Sequence, residues 1–83
     1  MRYFFDIKDG KRFSRDREGL QFATLNAAIE EARATALSMS HDAFADHSDA
    51  VIVRVRDKEG HIQATACIAL SKSRKIIRSS RKI

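Results

Sequence analysis

Eighty-three residues with one cysteine make a single small domain that has no internal disulfide framework. No apolar run approaches the roughly 20 residues of a membrane span, and the opening MRYFFDIKDG lacks the apolar stretch of a signal peptide, so a cytoplasmic protein with no membrane partner is expected. The net charge of +5 is uneven: residues 71–83 hold Lys72, Arg74, Lys75, Arg78, Arg81 and Lys82 and no acid, while the ten bases of residues 1–70 stand against all eleven acids.

Arg2 to Lys8 alternates, with Tyr3, Phe5 and Ile7 on one side and Arg2, Phe4, Asp6 and Lys8 on the other. That is a strand with one buried face. Asp9-Gly10 follows as a hairpin turn signal, since a type I′ turn needs positive φ at both central residues. Lys11 to Arg15 is the expected returning strand, with Phe13 as its inward residue. Asp16 to Gly19 is a second turn. Leu20 and Phe22 fit either a short third strand or an extended lead-in over the helix start, and the sequence leaves both open.

Thr24 to about His41 reads as the helix. Leu25, Ile29, Ala32, Ala36 and Met39 recur at helical spacing, and alanine, the best helix former, is abundant. Thr24 is the expected N-cap. Residues 41–49 form a polar connector with one apolar anchor, Phe44.

Ala50 to Arg56 is the clearest strand, with Val51, Val53 and Val55 inward and Ile52, Arg54 and Arg56 outward. The next turn repeats the earlier one: Arg15-Asp16-Arg17-Glu18-Gly19 against Arg56-Asp57-Lys58-Glu59-Gly60. Shared turn chemistry explains the match without duplication. His61 to Leu70 is the last strand, with Ile62, Ala64, Ala66, Ile68 and Leu70 inward. The expected fold is α+β: two antiparallel hairpins flank one amphipathic helix, ββαββ, and the helix packs on one sheet face. Residues 1–70 form the domain, and 71–83 a basic tail for which composition favours disorder.

The run RYFFDIKDG, then DREGLQF, TLNAAIEEA and VIVRVRDKEG, resembles an uncharacterised family of small alpha-proteobacterial proteins of ββαββ type. The resemblance covers roughly residues 1–70 and implies no activity. More distantly, a glycine turn leading to an L-x-x-A-x-x-x-A helix is similar to the HicB-type antitoxin core. The DNA-binding segment of such an antitoxin is missing here.

Candidate functional features are few. The outward sheet face carries Phe4 and Ile52 among Arg2, Lys8, Arg54 and Arg56. It suits a protein or self contact, with Phe4, Ile52, Arg54 and Arg56 as the interaction face, and more weakly single-stranded nucleic acid. The six bases of the tail suit non-specific nucleic-acid binding by counterion release. His41, Asp42, Asp46, His47 and Asp49 lack the i, i+4 ligand spacing of a helical metal site, so neither metal nor cofactor is expected. Cys67 has no neighbouring group in sequence to lower its pKa. No catalytic elbow, phosphate loop or paired acid–base motif is present, so no catalytic residue is assigned. The expectation is a non-catalytic binding module that pairs with itself or another protein. The alternative is a nucleic-acid accessory protein acting through its tail.

Overall fold

The computed structural model describes residues 1–10, 12–45, 50–71 and 74–81, with side chains placed for 1–10, 12–41 and 50–69. Its elements are β1 (Arg2–Asp9), β2 (Arg12–Ser14), β3 (Leu20–Gln21), α1 (Leu25–Ala45), β4 (Ala50–Asp57), β5 (Ile62–Ser71) and β6 (Arg74–Arg81). The strands form one antiparallel sheet in the order β2-β1-β4-β5-β6, and β3 also pairs with β1. The α+β class and the ββαββ order are as expected, with the helix against one sheet face.

The alternation of β4 decides which face is buried: Val51, Val53 and Val55 are wholly inaccessible. Opposite them α1 presents Ala28, Ile29, Ala32 and Ala36. Small side chains let the helix axis come close to the sheet, and the large apolar groups come from the strands. Ser40 completes the buried stripe, and its hydroxyl is satisfied by donating to the Leu37 carbonyl at 2.7 Å. Thr24 caps the helix as expected, its Oγ1 accepting the Ala27 N–H at 3.1 Å. The helix runs one turn beyond His41, to Ala45, because no glycine or proline stops it.

Several expectations are corrected. Asp9 pairs with Arg12, so Gly10 and Lys11 stand between the paired residues, and the returning strand shrinks to Arg12–Ser14. Gly10 has φ of 59°, which suits a glycine there. Phe13 is not inward. The register pairs odd-numbered residues with even ones, so Phe13 falls opposite Lys8, on the face away from the helix, and is 59% exposed. Ile62 also leaves the inner face. The register slips between Val55 and Arg56, so that Val55 faces Ala64 but Arg56 faces Ile62. This bulge turns Ile62 outward, where it is 43% exposed.

Leu20–Gln21 is a short strand, and its ladder is extended by mutual bonds between Met1 and Phe22. Phe22 packs near the rings of Tyr3 and Phe5, with centroids 6.5 and 5.7 Å away. Where composition favours a disordered tail, the backbone of Arg74–Arg81 continues the sheet along β5. Composition measures how little such a segment can bury. It does not register the unpaired N–H and C=O groups that the edge of β5 offers.

Candidate functional site

β2 and β3 share the same edge of β1 and leave a gap between them. The turn connecting them fills it. Asp16 accepts the Phe5 N–H of β1 at 3.1 Å through Oδ2, and the N–H groups of Glu18 and Gly19 at 3.0 Å through Oδ1. Its own N–H donates to Asp6 Oδ1 at 3.0 Å. A side chain thus replaces the missing strand partner.

Asp6 is 8% exposed on the face away from the helix. The Arg56 guanidinium grips it with Nε to Oδ2 at 2.9 Å and Nη2 to Oδ1 at 3.2 Å, and Nη2 also donates to the Asp16 carbonyl at 2.8 Å. The same guanidinium lies 4.8 Å from the Phe4 ring centre. The Arg56 bond lowers the Asp6 pKa against the opposing effect of burial, and Asp6 in turn raises that of Arg56. Burial works against ionising Asp16, but N–H donors from Gly19, Phe5 and Glu18 outweigh it and its pKa is lowered. Gly19, at φ 71°, packs on β1: a Cβ there would lie 2.8 Å from the Tyr3 carbonyl oxygen.

The second turn is self-contained. Asp57 accepts the Glu59 and His61 N–H groups at 2.9 Å and the Gln63 amide at 2.9 Å, all within its own hairpin. The His61 N–H is the largest cause of its lowered pKa.

On the helix side the sheet is only partly covered. α1 rests chiefly on β4 and β5 and touches β1 at its margin. Beside it a groove of about 590 Å³ runs along β1 under the first turn, lined by Phe5, Ile7 and Leu20 and by the turn residues Arg15 to Gly19, two of them basic and two acidic. Leu20, registered opposite Tyr3, is 54% exposed.

The family model for DUF6894, a domain of unknown function, matches residues 2–69. The chain belongs to that family. No curated protein and no solved structure matches it. The first turn, the groove and the far sheet face all lie inside the family's span. β6 lies beyond it.

The interaction face expected from sequence is placed as follows. Phe4 and Ile52 are half-buried and Arg54 is exposed on the far face, but Arg56 is taken up by Asp6 and Asp16. Of the tail bases, Arg74, Lys75, Arg78 and Arg81 fall in β6, while Lys72 and Lys82 lie outside the described residues. The side chains of Asp42, Asp46, His47 and Asp49 are also outside them; among the described residues no three His, Cys, Asp or Glu gather as metal ligands. Cys67 is a half-buried free thiol. No described helix is long and apolar enough to cross a membrane.

Sequence reading missed Asp6 and Asp16. Their signal was a carboxylate at an outward strand position together with the repeated R-D-x-E-G, read only as turn chemistry.

Charge also segregates along the sequence. Residues 24–49 carry five acids and one base, whereas residues 1–23 and 50–70 carry six acids and nine bases. Two of those six acids, Asp6 and Asp16, are internal to the clamp.

Proposed function

We propose that this DUF6894 chain is a cytoplasmic, non-catalytic contact domain that pairs with a second copy of itself. The observation that carries the reading is a mismatch of breadth. A helix about 10 Å wide covers about two strands spaced about 4.8 Å apart. One helix on this sheet buries Tyr3 and Phe5 of β1 but leaves the flank open at Leu20 and partly at Ile7, beside the groove.

The occupant we assign to the groove is α1 of the second copy. Its outward side presents Leu37, 43% exposed, beside the Glu30–Arg33 ion pair, and the groove presents Leu20 with Arg15, Arg17 and Glu18. The fit is therefore apolar at the centre with a polar margin of mixed charge on both sides. A two-fold arrangement would satisfy both grooves at once. The titratable groups with shifted pKa values support a non-catalytic reading, because each is engaged in holding a turn or a strand. Kinship with small alpha-proteobacterial proteins, and similarity in element order to the HicB-type antitoxin core, accord with a protein that works by contact.

Light scattering over a concentration series tests the reading. A dimer is expected for the native chain, with Leu20→Asp dissociating at least about tenfold more readily, as loss of a buried leucine implies. A native chain that stays monomeric at the highest concentration overturns it.

A further inference from the structure

We propose that the sheet face away from the helix binds single-stranded nucleic acid without sequence preference, on a platform built by Phe13, Lys8, Ile52 and Arg54. The register sets these residues side by side. Phe13 pairs with Lys8, Lys8 with Ile52, and Ile52 with Cys67, in one row across four strands. Arg54 stands two residues along β4 from Ile52, opposite Asp6. Phe13 is 59% exposed, and Lys8 and Arg54 are exposed.

The acid that would repel a phosphate here has been neutralised. Asp6 is enclosed by Arg56 and the Asp16 N–H, and Arg15 lies near enough to help hold it ionised. Among the described side chains, this end of the face therefore offers cations and an aromatic ring but no unpaired carboxylate. β6 continues the row in register, with Arg78 opposite Cys67.

An exposed aromatic on a sheet face, flanked by cations, suits a base stacked on the ring with its phosphates on either side. An acidic peptide would use the cations and leave the ring idle. The self-contact groove lies on the opposite face, so the two surfaces can fail independently: Leu20 reports on one and Phe13 on the other.

The test is fluorescence anisotropy of the full chain with a labelled oligothymidylate at about 50 and 200 mM salt. The far-face platform must be told apart from the basic tail, so every variant keeps the tail. Phe13→Ala is expected to weaken binding about tenfold, and Arg54→Glu to weaken it and flatten the salt slope. Ser38→Ala, exposed on the helix, is expected to change neither. Circular dichroism checks that the variants keep their fold; Phe13 and Arg54 are both exposed, so little disturbance is expected. No binding by the native chain overturns the proposal. So does binding unchanged in both Phe13→Ala and Arg54→Glu, which would assign it to the tail. Binding of polyglutamate as tight as that of the oligonucleotide, and equally insensitive to Phe13→Ala, overturns it in favour of an acidic-peptide surface.

Discussion

The turns Arg15–Gly19 and Arg56–Gly60 share the sequence R-D-[RK]-E-G, and both use the aspartate to gather backbone N–H groups with a glycine in the left-handed region. Their surroundings make them different objects. The second closes a hairpin, and its aspartate gathers donors from within that hairpin. The first is fastened to β1 by Phe5, to the far face by Asp6 and Arg56, and to the Tyr3 backbone by close packing of Gly19. The same five residues therefore make a connector in one place and the wall of a groove in the other. The first arginine of each motif shows the division most plainly: Arg15 is exposed, whereas Arg56 is the clamp.

Substitutions should separate the two turns in a graded way. Arg56→Met leaves Asp6 buried without its partner and is expected to cost about 3 kcal/mol in urea unfolding, while Arg15→Ala costs under about 0.5 kcal/mol. Equal effects would mean that the clamp is solvated.

Gly19→Ala meets both an unfavourable φ and the Tyr3 carbonyl oxygen, so about 2–3 kcal/mol is expected. Gly60, at φ 92°, has nothing within 4 Å of a new Cβ. Gly60→Ala should therefore cost only the backbone term, about 1 kcal/mol. Asp16→Ala strands the Phe5 N–H and loosens the turn, for about 2 kcal/mol. Asp57→Ala should cost less, because its donors can turn to water.

Proton linkage gives the smallest contrast. The folded Asp6 and Asp16 carboxyls titrate below their ordinary value of 3.8. Their contribution is complete above that value and is lost as pH falls through the lower folded values. Melting temperature should fall below about pH 4, and Asp6→Asn should flatten that fall. An unchanged acid limb would place the linkage elsewhere.

What the sequence made legible followed from periodicity. The Val51-Val53-Val55 alternation and the alanine stripe of α1 are one-dimensional signals, and both elements lie where expected. What it hid depended on register. Phe13 looks like a core residue until its pairing with Lys8 places it outward, and Ile62 until the bulge at Val55/Arg56 turns it. The clamp was hidden for a related reason, since Asp6 and Arg56 are fifty positions apart and meet only once β1 and β4 are neighbours. β6 escaped because the pairing capacity of an edge is a property of the sheet and not of the segment that joins it.

The fastened first turn matters because it walls the groove that we propose receives a second copy of the chain. Sedimentation equilibrium of the native protein beside Leu20→Asp tests that most directly. Leu20 is half exposed and contributes little within one protomer, so the variant should keep the native melting profile of the monomer. The expected result is a native dimer and a variant that dissociates at least about tenfold more readily. A native protein that sediments as a monomer throughout, or a variant with an unchanged dissociation constant, would contradict it.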